Sequence, residues 1–69
     1  MAEIAEADVE LVMIALQRVA IARYCETMQL DVLSIRAEVA RHMVQLVISG
    51  QRDPAELAQS ATRFLDNRR

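Results

Sequence analysis

The distribution of apolar residues predicts an all-helical chain, and the most unusual segment is residues 32–49. At roughly 100° per residue, its apolar side chains cover an arc of about 220° on a helical wheel. A helix that packs on one side needs little more than about 100°. The apolar residues on this arc are Val32, Leu33, Ile35, Ala37, Val39, Ala40, Met43, Val44, Leu46, Val47 and Ile48. We therefore expect this helix to pack on two sides, in a chain with few other segments to cover it.

A clear boundary follows this helix. Gly50 can adopt the left-handed conformation that ends a helix, and Asp53 can cap a new helix with Pro54 at its first position and Glu56 three residues after the cap. The next helix, residues 54–67, carries its apolar side chains on an arc of about 120°. These residues are Leu57, Ala58, Ala61, Phe64 and Leu65. The pattern is typical of a helix that covers one side of a core.

The first predicted helix, residues 3–29, changes its apolar face along its length. One stripe consists of Val9, Val12, Met13, Leu16, Val19 and Ala20. A second stripe, on the opposite side, consists of Leu11, Ile14, Ile21, Cys25 and Met28. Two stripes indicate two sets of neighbours, and we expect one stripe to pack within the chain and the other between chains.

The boundary between the first two helices has two interpretations. We prefer a short turn near Leu30 and Asp31, with Asp31 as the cap, although Ser34 stands where a capping box would have Glu or Gln. The alternative is one continuous helix over residues 3–49, because Ile21, Cys25 and Met28 extend in phase into the apolar arc that follows. A helix of that length would need a partner chain.

Chain length and composition point to self-association. A 69-residue chain forms one domain, residues 1–69, of marginal stability, and such domains are usually supported by disulfides, a metal or oligomerisation. Cys25 and His42 are the only cysteine and the only histidine, so one chain has neither a disulfide nor a four-ligand zinc site. Oligomerisation remains, and we expect no cofactor.

Charge and targeting features predict a cytoplasmic protein. The formal net charge is −2, with acidic residues near the start and arginines at the end. An acidic start is unlike a secretory signal, and the longest apolar run, residues 11–16, is far shorter than the roughly 18 to 20 residues of a membrane span. A lone cysteine fits a reducing compartment.

The sequence offers little catalytic or metal-binding chemistry. Cys25 and His42 could form a thiolate pair oriented by Glu38, but Cys25 lies on an apolar stripe, where an inert buried thiol is typical. Glu38 and His42 are four residues apart, whereas carboxylate-bundle metal sites use Glu-x-x-His. We therefore expect neither catalytic residues nor metal ligands, and no enzyme activity.

Nucleic-acid binding is the alternative function. A helix, a short turn with glycine and a second helix resemble a helix-turn-helix, and Arg63, Arg68 and Arg69 lie at the end of the chain. However, the expected base-reading positions hold Pro54, Ala55 and Glu56, and phosphate contacts need concentrated positive charge. A dimeric DNA-binding regulator is thus the second hypothesis.

Together these patterns predict an all-α, three-helix unit: a long helical hairpin plus a shorter third helix, assembling as a homo-oligomeric helical bundle. We expect a small non-enzymatic adaptor or regulator whose partner is itself, or a helix of another protein received in an apolar groove. We expect Arg36, within the apolar arc, to pair across the interface with Glu26 or Asp31. The predicted interface residues are Ile21, Tyr24, Met28, Ile35, Arg36, Val39, Met43 and Leu46.

Overall fold

The computed structural model describes residues 5–67, and within this range the chain is all-helical. The helices are α1 (Glu6–Arg18), α2 (Ile21–Met28), α3 (Val32–Ile48) and α4 (Pro54–Asp66). The prediction of an all-α fold is confirmed for these residues. Four helices replace the predicted three, because the segment expected to form one helix over residues 3–29 is divided. Residues 3 and 4 of that prediction lie outside the described range.

The division between α1 and α2 is a tight turn at Ala20. Its φ of −78° and ψ of 61°, with a 2.8 Å bond from the Ile21 amide to the Val19 carbonyl, are those of an inverse γ-turn. Val19 and Ile21 are both buried. In a continuous helix these two side chains would point about 200° apart. The turn lets both enter one core, which explains why the apolar stripe changes face here.

The predicted turn near Leu30 and Asp31 is confirmed, and the continuous helix over residues 3–49 is not formed. Gln29 adopts the left-handed conformation, with φ 57°, and the Leu30 amide donates back to the Cys25 carbonyl over 2.9 Å, as in a Schellman motif. The Asp31 carboxylate then accepts bonds from both the amide and the hydroxyl of Ser34, each 2.9 Å long. The Ser34 hydroxyl thus adds a second bond to the cap.

The boundary between α3 and α4 forms as predicted. Gly50, with φ 111°, ends α3, and the Gln51 amide donates to the Leu46 carbonyl, so this end is also a Schellman motif. Asp53 caps α4 by accepting from the Ala55 amide over 3.0 Å, and Pro54 occupies the first turn.

The core lies between α1, α3 and α4, and α2 packs on α3. Its buried residues are Val12, Ala15, Val19, Ile21, Cys25, Ile35, Val39, Met43, Val47, Leu57, Ala61 and Leu65. Helix α3 therefore has three helical neighbours within one chain. Much of its wide apolar arc is covered by the chain itself.

Helices α1 and α3 run antiparallel. Asp8, near the start of α1, pairs with Arg52, just after the end of α3, with Nε and Oδ1 3.3 Å apart. At the other end, Leu16 and Arg36 line the same surface groove. The Arg52 guanidinium also donates to the Val47 carbonyl, so it ties the end of α3 to the start of α1.

Candidate interaction surface

Four of the eight predicted interface residues belong to the core of the chain. Ile21, Ile35, Val39 and Met43 are all buried. The pattern identified these side chains as apolar contacts, and the structure provides the contacts within a single chain. Their burial does not by itself require a second chain.

The other four predicted interface residues lie at or near the surface. Tyr24 is half-buried and its hydroxyl donates to the Leu65 carbonyl over 3.3 Å. Tyr24 and Met28 line a cavity of about 400 Å³ between α2 and the end of α4. Leu46 is half-buried against the core. Arg36 is exposed and forms no ion pair with another described residue.

An apolar stripe along α3 is partly exposed: Ala40 and Val44 at its centre are half-buried, and its other three residues are exposed. It consists of Leu33, Ala37, Ala40, Val44 and Ile48. At 100° per residue these positions share an arc of about 80°, centred about 120° from the buried row of α3. Leu33 is 75% exposed and Ile48 48% exposed. Two large aliphatic side chains are thus presented to solvent at the two ends of the stripe.

Helix α1 contributes a second exposed stripe on the same side. Val9 and Met13 are 41% and 56% exposed, and Leu16, one turn further, is half-buried. Leu16 lines a groove with Val32 and Arg36 of α3, so the end of the α1 stripe lies beside the first turns of α3, and on the helical wheel Arg36 lies between the buried row of α3 and the α3 stripe. We call these two stripes together the α1–α3 face.

Leu33, Val9 and Met13 belong to the apolar patterns of the sequence but are not among the predicted interface residues. The signal that could have found the α3 part of the face is its spacing. Leu33, Ala37, Ala40, Val44 and Ile48 follow one another at intervals of four, three, four and four residues, as on one face of a helix. The α1 side chains that remain outside the core depend on the break at Ala20, which the sequence does not mark.

His42 joins α3 to α4. Its Nε2 lies 2.9 Å from the Ser60 hydroxyl, and its ring stacks on Phe64 with centroids 4.7 Å apart. These contacts fit a packing role at the edge of the core. Within residues 5–67, the His, Cys, Asp and Glu side chains form no cluster able to hold a metal ion.

The remaining described candidate residues, Cys25, Arg63 and Glu56, are not among the residues of this face. Cys25 is 2% exposed in the core, which is the environment of an inert thiol. Arg63 is exposed near the end of α4, and Arg68 and Arg69 lie outside the described residues. Glu56 lies in the first turn of α4, where a recognition helix would approach phosphate.

A comparison with protein-family models, with characterised proteins and with solved structures finds no match to this chain. None of the helices within residues 5–67 is both long enough and apolar enough to cross a bilayer.

Proposed function

We propose that this chain is a small non-enzymatic protein–protein interaction module, a helical adaptor or regulator that works as a homo-oligomer and binds through its α1–α3 face. The observation that carries the proposal is the exposure of Leu33 and Met13, 75% and 56%, on a domain whose core is filled by other residues. Contiguous apolar patches on soluble proteins mark interaction sites.

The composition of the face supports binding to a protein surface. Ala37 and Ala40 let another helix approach α3 closely, since small side chains reduce the distance between helix axes. Met13 is unbranched and adapts to the shape of a partner. Arg36 and Gln17 line the groove at one end, so the apolar centre has a polar border there, as protein interfaces do.

The dimensions of the face suit a dimer. The molecule measures 34 × 19 × 18 Å, so one long side has a projected area of about 650 Å². A standard interface buries roughly 800 Å² per partner. A dimer interface of standard size would therefore cover most of one long side of the molecule.

The proposal is tested by placing a charge at Leu33, the most exposed large apolar residue of the face. Leu33→Asp should shift the chain from dimer to monomer, because a carboxylate buried without a partner is strongly unfavourable. The measurement is molecular mass by sedimentation equilibrium over a range of concentrations, with helicity followed by circular dichroism.

The matched control is Ile14→Asp. Ile14 is 48% exposed on α1 but points about 100° away from Met13, outside the α1–α3 face. This variant should keep the mass of the unchanged protein. An unchanged protein that stays monomeric at all concentrations, or a Leu33→Asp variant that stays dimeric, contradicts the proposal.

A further inference from the structure

We infer that a second copy of this chain occupies the α1–α3 face, with α3 of one copy lying antiparallel to α3 of the other across a two-fold axis. This inference rests on the proposed function and adds the orientation and register of the pair. Two independent observations carry it: the order of side chains along the α3 stripe, and the separation of charge between the two ends of the face.

Four of the five residues of the α3 stripe pair with one another when the stripe is reversed. Leu33 lies four residues before Ala37, and Ile48 lies four residues after Val44. When two copies are paired antiparallel about a centre between Ala40 and Arg41, Leu33 faces Ile48 of the other copy and Ala37 faces Val44. Ala37 then receives the larger side chain of Val44, which is how packed layers interdigitate, and Ala40 lies beside the axis, opposite Arg41 of the other copy. An in-register parallel pair would set alanine against alanine and leave a gap.

Charge favours the same orientation. Glu6 and Glu10 lie in the first half of α1, at the end where Asp8 meets Arg52. Arg36 lies at the opposite end, where α1 finishes beside the start of α3. Antiparallel stacking places the acidic end of one copy over the basic end of the other, and parallel stacking would place like charges together.

The register identifies one cross-chain ion pair. In this register residue 36 of one copy lies at the level of residue 45 of the other copy along the α3 axis, and the antiparallel packing of α1 on α3, with Asp8 at Arg52 and Leu16 at Arg36, places Glu10 of the second copy at about that level on the α1 side. Neither Arg36 nor Glu10 has an ion pair with another described residue. We therefore assign Glu10 of the second copy, rather than Glu26 or Asp31, as the partner of Arg36. The carboxylate of Asp31 is already engaged as the α3 cap.

Disulfide trapping tests the orientation directly. Leu33→Cys and Ile48→Cys are prepared as separate proteins, oxidised alone and then oxidised as an equimolar mixture. In the antiparallel pair the two copies of residue 33 are about 22 Å apart along the helix, far beyond the roughly 4.4 to 6.8 Å between Cα atoms that a disulfide allows. Each variant alone should remain uncross-linked, and the mixture should cross-link up to about half of its chains, the share in mixed dimers.

The controls use residues remote from the face. The unchanged protein reports on Cys25, which is buried. Gln59→Cys reports on an exposed position of α4 and should give no specific cross-link in any mixture. Sedimentation of the reduced variants verifies that they still dimerise.

Each other result has a defined meaning. Cross-linking of Leu33→Cys with itself shows a parallel pair and overturns the orientation, while the interaction module still stands. If the protein is a dimer but forms no cross-link through residue 33 or residue 48, the pairing of α3 with α3 is overturned. A stable monomer overturns both this inference and the homo-oligomeric proposal, and it leaves the face to a different protein.

The ion pair has its own measurement. Arg36→Glu should weaken dimerisation by about four- to 25-fold, because the two-fold axis makes the pair occur twice and one exposed pair is worth about two- to fivefold. Adding Glu10→Arg to the same chain should restore the dissociation constant by recreating the pair in reverse. Failure of the double variant to recover removes Glu10 as the partner of Arg36.

Discussion

The three described methionines that fall on or near apolar stripes show how one residue type acquires different roles. Met43 is fully buried, whereas Met28 and Met13 are 39% and 56% exposed. Met43 fills the core, Met28 lines a surface cavity, and Met13 lies on the α1–α3 face. A helical wheel gives the direction of each side chain, but the neighbours in that direction are set by packing.

Truncation separates these roles. Met43→Ala should lower the free energy of unfolding by about 2 to 5 kcal/mol, because it leaves a cavity in a core that cannot collapse fully. Met28→Ala is the matched control and should lose much less, since its side chain is already partly hydrated. Urea unfolding at one protein concentration measures both.

A small domain has little stability to lose, so Met43→Ala can unfold completely. Met43→Leu keeps the volume and should cost less than about 1.5 kcal/mol. Equal losses for Met43→Ala and Met28→Ala would contradict the burial of Met43.

At the scale of residues, the sequence predicted which side chains make apolar contacts. It did not predict whether each contact is made within the chain or with a second chain. Ile35 and Val39 were expected to be apolar interface contacts, and they are buried among the helices of the same chain. Leu33 belonged to the same wide arc and is the most exposed large apolar side chain described. The apolar arc does not predict which of its residues are buried and which are exposed, because their burial depends on where α1, α2 and α4 approach α3.

At the scale of elements, the helix ends with specific chemistry were predictable. Gly50, Asp53 and Pro54 each meet a conformational or hydrogen-bonding need that few residues meet. The turn at Ala20 has no such requirement, since an inverse γ-turn has φ near −75°, which any residue can adopt. The four-helix arrangement therefore could not be read from a breaker residue. It follows from the need to bury both Val19 and Ile21.

The Asp31 cap provides an element-scale prediction. Asp31→Ala removes the acceptor for the amide and hydroxyl of Ser34, and it should lower the free energy of unfolding by about 0.5 to 2 kcal/mol. Asp31→Asn keeps a side-chain acceptor and should lose much less. Thermal unfolding followed at 222 nm by circular dichroism compares the three proteins.

The sign of this effect distinguishes the turn from a continuous helix. Alanine is the best helix former, so Asp31→Ala would raise helicity and stability if residues 29–31 were helical. A gain in stability would contradict the cap.

At the scale of the whole molecule, the proposed dimer contains one unfavourable contact. Its two-fold axis passes between Ala40 and Arg41, so the two Arg41 guanidinium groups meet near the axis. Arg41 is exposed, and its long side chain can extend into solvent, which keeps the repulsion small. Removal of this charge should therefore strengthen the dimer.

Arg41→Ala should tighten dimerisation by about two- to fivefold at low salt, the range for exposed charge pairs, and the gain should shrink as salt screens the repulsion. Arg63→Ala is the control: it changes the net charge equally, from −2 to −3, but lies on α4 away from the face. Sedimentation equilibrium at low and high salt measures the dissociation constant of both variants.

An equal change in the two variants would indicate an effect of net charge alone, and a weaker Arg41→Ala dimer would place the axis elsewhere. The dimer itself should persist at high salt, because apolar burial holds it together, whereas a protein held by phosphate contacts would release nucleic acid steeply.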